Sequence, residues 1–385
     1  MPVDPRSPSP TPVASPGQEH PEPGSLPAPV PDVDAEPDSG ALSPLMLVTS
    51  EPVINAFIAE LSRARAAIME APHDHHVLRF SRAEVRHVRE AYAATVRIGE
   101  ASLHRLCELL ATRWFQGDYS LQSVVIGEIE HTTERFKLSQ PLTIDELYAR
   151  TDLDLGNRQL ERLRFQLDDG LHGARLVSNS VEYQPLVHNT LNIHKMISRI
   201  KAEEELWNKV CDEIFELDRL VQRDKQLREL SRYVKDVFGV KIIVEDHDAA
   251  RRVLEALRQL SWSDDELTRC DVPTSDASRQ LALVELKDYM NDQKNSGWGA
   301  LKTVLRWNGK TFEFQIQTAD AYHRELLFLT RESHASHKAR RERLREEIGR
   351  TIPLFSFYLE LLRWLFIETS GPPPELDNVE IIVTE

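Results

Sequence analysis

The chain has 385 residues, a formal net charge of −15 and an apolar content of 41%. That charge opposes non-specific attachment to nucleic acid or anionic membrane over the whole surface, while leaving room for a local basic site. Three widely spaced cysteines, Cys107, Cys211 and Cys270, fit neither a disulfide framework nor a zinc pattern and read as thiols of a reducing compartment.

Residues 1–45 hold 13 of the 22 prolines, interspersed with Ser, Asp and Glu. Such a segment buries too little apolar surface to offset its chain entropy, so a disordered tail is expected. Its first residues lack a basic stretch followed by an apolar one; no secretory signal is expected, and the chain reads as cytoplasmic.

Residues 46–180 read as a mainly helical region. Ser50 as a cap, Pro52 in the first turn and Val53, Ile54, Phe57, Ile58 and Leu61 at helical spacing predict a helix. Ser81 with Glu84 makes a capping box for a long helix up to about Phe115, and Thr143 with Glu146 makes another. Between the first two helices stands His73-Asp74-His75-His76; without further ligands at defined spacing it reads as an exposed turn rather than a metal site. Residues 142–171, a short capped helix, a turn and a second helix ending before Gly170, resemble a helix-turn-helix, with Asn157, Arg158, Gln159 and Arg162 on the second helix. The acidic surroundings favour a plain helical pair.

From 181 to 347 the pattern changes to mixed strands and helices. Residues 237–246 read as a buried strand and 248–260 as the helix after it. Residues 300–307 and 310–318 flank Asn308-Gly309, a strong hairpin signal because both positions favour positive φ. Within the second of these strands Phe312, Phe314 and Ile316 share one face, while Glu313, Gln315 and Gln317 share the other. The order argues for an α+β fold, a mixed β-sheet flanked by helices. Residues 348–385 add a C-terminal helix and a short strand; the apolar stretch at 352–367 is too short, and carries Glu360 and Arg363, for a membrane span.

Asp236, at the entry to the first of these strands, and Glu313 would converge if the strands are neighbours. Paired carboxylates need a cation, and Mg²⁺ commonly takes one or two of them together with substrate phosphates. Arg199, Lys201 and Lys209 near a strand-to-helix transition suit phosphate, and Trp298 in a basic Gly-containing loop suits a nucleobase.

Four ordered segments, RIKAEEELWNK, DVFGVK, KDYMNDQKNSGWGALK and EFQIQT, resemble the synthetase domain of RelA/SpoT-type alarmone enzymes. The resemblance covers the C-terminal half and implies a nucleotidyltransferase-like fold. It also implies Mg²⁺-dependent transfer of pyrophosphate from ATP to a 3′-hydroxyl of GDP or GTP, as in (p)ppGpp synthesis in the stringent response, or of another nucleotide or an RNA 3′ end. By position, Asp236 and Glu313 would be the metal-binding and catalytic acids. Arg199, Lys201, Lys209 and Lys241 would steady ATP. Tyr289, Lys294, Asn295, Trp298, Lys302, Gln315 and Gln317 would line the acceptor site.

The sequence also departs from the family pattern. Ala202 and Glu205 stand where the family has serines, Lys241 and Gln317 where it has Arg, and Lys302 where it has His. The acidic pair persists while the nucleotide-contacting shell changes. That combination points either to a changed substrate or to a nucleotide- or alarmone-binding regulator without turnover.

Overall fold

The computed structural model describes residues 51–132, 134–168, 170–200, 238–290, 299–331, 352–366 and 371–384, excepting side chains from 327 to 331. All of these belong to one unit, Leu42–Glu385. The Pro-rich tail lies outside the described residues, as do Ser50, Lys201, Lys209, Cys211, Asp236, Lys294, Asn295 and Trp298.

Helix α1 (Pro52–Glu70) buries Ile54, Phe57, Ile58, Leu61 and Ile68, a spacing that lines one face. Pro52 opens it, where an amide donor is not needed; the cap position is Glu51, which makes no side-chain cap. Strand β1 (His76–Ser81) leads directly into helix α2 (Arg82–Trp114), which is 33 residues long. Ser81 Oγ accepts the Glu84 N–H at 3.1 Å, half of the expected capping box.

Next come strands β2 (Tyr119–Ile129) and β3 (Arg135–Leu142), and short helices α3 (Ile144–Ala149) and α4 (Asp152–Leu160). Thr143 and Glu146 complete the predicted capping box on α3. A small hairpin, β4 (Phe165–Leu167) with β5 (Gly170–His172), precedes the long strand β6 (Ala174–Pro185) and β7 (Ile193–Ile200).

The rest of the chain supplies β8 (Phe238–Val244) and helices α5 (His247–Gln259), α6 (Asp264–Arg269) and α7 (Asp276–Arg279). Then follow β9 (Ala282–Asp288), β10 (Leu301–Trp307), β11 (Lys310–Thr318), α8 (Ala319–Arg331), α9 (Phe355–Phe366) and β12 (Val379–Thr384).

Eight strands form one sheet in the order β3-β2-β6-β7-β8-β11-β10-β9. Only β8 and β11 run parallel within it; the remaining pairs are antiparallel. Asn308 and Gly309 turn β10 into β11 with φ of 47° and 74°, the left-handed values that a two-residue hairpin with matching twist requires.

One face of the sheet is apolar. Phe312, Phe314 and Ile316 join Phe238, Val240 and Ile242 in one continuous core with residues of α2, α5 and α9. Helix α2 crosses this face closely at Gly99, where an added Cβ would stand 2.0 Å from the Phe238 ring. The C-terminal chain returns to the first elements: β12 pairs in parallel with β1, and the Phe366 ring meets Phe57 edge-on at 5.5 Å. Among the described residues no helix is long and apolar enough to cross a membrane.

Two expectations need correction. The stretch read as mainly helical does contain α1 and α2, but β2, β3 and β6 extend the same sheet that carries β8 and β11, and β6 runs across the boundary expected at 180. Their period is interrupted: β2 carries the consecutive apolar residues Val124, Val125 and Ile126 with a register shift after them, and β6 the consecutive polar residues Ser178, Asn179 and Ser180. The second helix of the 142–171 segment stops at Leu160 and gives way to the β4–β5 hairpin. Gln159 turns toward the sheet, where its amide donates to Ser123 Oγ at 2.7 Å; Asn157 and Arg158 are exposed.

Candidate functional site on the polar sheet face

The second face of the sheet is built from the strand register. Glu313 stands opposite Gly239 on β8 and Val304 on β10; Gln315 stands opposite Lys241 and Lys302. Arg199 on β7 stands opposite Gly239. Because directly opposed residues share a face, one row of side chains crosses four strands, Arg199, Gly239, Glu313 and Val304. The next row holds Ile197, Lys241, Gln315 and Lys302. Gly239 leaves a gap between them: a Cβ there would touch the Arg199 side chain at 3.7 Å.

Helix α8 folds back over one end of this face. Tyr322 packs with Ile197 and Ile243, supported by Ala319 and Leu326, in a small second core. The same helix places Glu325 over the strands. Lys241 Nζ donates to both Glu325 oxygens at 2.8 Å, and Gln317 Nε2 donates to Glu325 Oε2 at 2.9 Å.

Glu313 is 2% exposed. Its Oε1 accepts from Gln315 Nε2 at 2.6 Å, and its Oε2 pairs with the Lys302 ammonium. A buried carboxylate without such partners would be costly. Lys195 on β7 likewise donates to both oxygens of buried Glu182 at 3.0 Å, and its ammonium stands 5.0 Å from the Tyr322 ring centre. Gln317 is wholly buried, and its Oε1 has no hydrogen-bond partner among the described residues.

Burial pushes the Lys241 ammonium below its ordinary pKa, and the neighbouring Arg199 charge adds to this against the pull of Glu325. Burial also acts against the Glu325 carboxylate. The Lys241 charge and hydrogen bond, together with the Gln317 amide, more than compensate and hold it below the usual carboxylate value.

The tertiary structure therefore brings Arg199, Lys241, Lys302, Glu313, Gln315 and Gln317 onto one face. Tyr289 follows β9 at the far end, its N–H donating to Ala300 O at 2.9 Å. Asp236 lies outside the described residues, though the strand it precedes is indeed the neighbour of β11. Sequence reading missed Glu325, Glu182 and Lys195. The first is seven residues beyond the strand, on a helix whose return over the sheet has no local signature.

Residues 198–326 match the family described as a region found in RelA/SpoT proteins. The C-terminal half of this chain carries a divergent RelA/SpoT synthetase domain. The match spans about a third of the chain, from Ser198 on β7 to Leu326 on α8, and so contains Glu325 as well as Glu313.

Among solved structures the chain is similar to small alarmone synthetase 1 of Bacillus subtilis bound to its product pppGpp, at 18% identity and a TM-score of 0.23, covering 44% of this chain and 79% of that one. It is similar to small alarmone synthetase 2 of the same organism at 20% identity and a TM-score of 0.23, covering 46% and 76%. A GTP pyrophosphokinase family protein of Streptococcus pneumoniae is 13% identical at a TM-score of 0.22, covering 44% and 82%. The assignment of the RelA/SpoT domain rests on the family match. No curated protein matches the chain.

Proposed function

We propose that the RelA/SpoT domain is a nucleotide pyrophosphokinase, moving the β,γ-pyrophosphoryl group of ATP to a 3′-hydroxyl of GDP, GTP or another nucleotide or RNA acceptor. The observation that carries this reading is Glu313. It is a nearly buried carboxylate on the polar face of β11, with Lys302, Gln315 and the Lys241 row around it, inside the stretch that matches the family.

In this reading the acceptor oxygen attacks the β-phosphorus of ATP, the bond to the α-phosphate oxygen breaks, and AMP leaves. Glu313 takes the proton of the attacking hydroxyl, as a general base within hydrogen-bond reach of it would. Lys302 offsets the carboxylate charge before the acceptor arrives. Arg199 and Lys241 offer charge to the triphosphate, with Lys201 and Lys209 assigned the same task from the sequence. Glu313 is an oxygen donor of the hard type that Mg²⁺ takes, and it and Asp236 would hold that ion. When bound, Mg²⁺ would neutralise phosphate charge along the in-line path.

Full-length protein incubated with Mg²⁺, ATP labelled in the β,γ-phosphates and GDP, GTP, ATP or tRNA tests this. Label should reach one acceptor, and Glu313→Gln should stop transfer while circular dichroism stays unchanged. Absence of transfer to all four acceptors by folded wild-type protein would overturn the reaction.

A second reading draws on a different observation. Lys241 is already engaged by Glu325, and Gln317 adds an amide rather than a positive charge beside them. A domain so neutralised suits a regulator that binds a nucleotide or alarmone without turnover. Calorimetric binding that Asp236→Asn leaves unchanged, in protein showing no transfer, would favour it.

A further inference from the structure

A second cluster of chemistry-bearing groups lies on the opposite side of the sheet, outside the family match. Glu100 and His104 stand one turn apart on α2, and Asp152 is the first residue of α4. They are 5%, 1% and 5% exposed. One oxygen or ring nitrogen from each lies within 4.8 Å of the others. Tyr183 on β6 approaches them with its hydroxyl, and Tyr183 is opposite Met196, which is opposite Ile242, on the apolar face. The cluster and Glu313 are therefore on different faces.

We propose that Glu100, His104 and Asp152 form a binding site for a divalent transition-metal ion of the zinc type, which joins α2 to the start of α4. Three observations support it. The first is geometric. His104 Nε2 is 3.0 Å from Asp152 Oδ1 and 3.9 Å from Glu100 Oε1. Ligands bound at about 2.0–2.2 Å in a tetrahedron stand roughly 3.4 Å apart, so both separations from His104 Nε2 are within about 0.5 Å of that spacing.

The second observation is an unmet acceptor. Asp152 Oδ2 is buried and has no hydrogen-bond partner among the described residues. Glu100 uses Oε1 to accept the Asp152 N–H, and Asn179 Nδ2 donates to the Asp152 carbonyl, not to its carboxylate. The other Asp152 carboxylate oxygen, Oδ1, faces His104 Nε2 at 3.0 Å, so Oδ2 is the buried acceptor still open to a cation.

The third concerns the histidine. Its Nδ1 lies 3.3 Å from the Tyr183 hydroxyl. The hydroxyl can accept from Nδ1–H as well as donate to Nδ1, and in the accepting arrangement it leaves Nε2 unprotonated for a metal, the usual arrangement around ligating histidines. Two carboxylates, a neutral imidazole and a divalent cation also sum to zero charge, which burial favours. Imidazole with carboxylates suits zinc and its first-row neighbours more than Mg²⁺.

The inference does not depend on the reaction proposed above, and its test has a separate readout. Full-length protein is dialysed against metal-free buffer, loaded with Zn²⁺ or Co²⁺, passed through a desalting column and analysed for metal content. About one equivalent per chain should be retained, with a visible Co²⁺ spectrum of nitrogen and oxygen ligation and a higher melting temperature than the chelator-treated protein. Asp152→Asn and Glu100→Gln should each lower retention at least tenfold. The second variant keeps an acceptor for the Asp152 N–H and so guards against simple misfolding. No retained metal and no melting shift in wild type would overturn the site, leaving a hydrogen-bonded proton-sharing cluster. Retention that both variants leave unchanged would overturn it equally.

Discussion

Lys241 Nζ and Glu325 Oε2 lie 2.8 Å apart, joining β8 to the helix that follows its parallel neighbour β11. The lysine is on the face that holds Glu313, and the carboxylate reaches it from α8. An internal acid thus occupies a cation that, in the proposed reaction, would meet phosphate.

Removing that competitor should favour nucleotide binding. Glu325→Gln is expected to tighten ATP affinity by about tenfold, corresponding to about 1.4 kcal/mol. Titration calorimetry on folded protein checks this. Unchanged or weaker binding would mean that Lys241 does not face the triphosphate.

The same pair has a consequence in acid. The Glu325 pKa is lower when folded than its ordinary value of 4.5. The folded state therefore binds this proton less readily than the unfolded state does. Its contribution to stability is present above pH 4.5 and fades as pH falls through the depressed folded value. Comparing urea midpoints of wild type and Glu325→Gln from neutral pH to about pH 3 isolates this group. The wild-type advantage should shrink toward the acid end; a constant difference would contradict the assignment.

Gly99 is a packing requirement. A Cβ would collide with the Phe238 ring at 2.0 Å, so Gly99→Ala should cost about 1–3 kcal/mol through overpacking. Phe238→Leu in the same chain should recover part of that loss. Denaturant melts of the two single variants and the double variant form the required cycle.

The two faces of β11 should respond differently. Phe312→Ala deletes a fully buried ring and should cost about 3–5 kcal/mol. Gln315→Ala removes one hydrogen bond to Glu313 and should cost about 1 kcal/mol, while lowering any pyrophosphate transfer. Chemical denaturation alongside the label-transfer assay separates the two effects.

Much of this fold could be read locally. The period of two in 311–317 put Phe312, Phe314 and Ile316 on one side and Glu313, Gln315 and Gln317 on the other, and the sheet has that division. Asn308-Gly309 marked the hairpin because its residues tolerate positive φ. Strands β2 and β6 were not legible, since the apolar run Val124 to Ile126, the register shift after it and the polar run Ser178 to Ser180 interrupt the alternation that would have revealed them.

Local sequence thus determined β8, α5 and the β10–β11 hairpin, because side-chain alternation, caps and φ preferences act within a few residues. Tertiary structure decided the pairings that join distant segments. Glu325 meets Lys241 across 84 positions, and Asp152 meets His104 across 48. Neither pair has a period or spacing to announce it. Each exists because burying apolar faces elsewhere, Tyr322 on Ile243 and α2 on the sheet, carries a charged group out of water to a place where only an opposite charge, a proton or a metal can stabilise it.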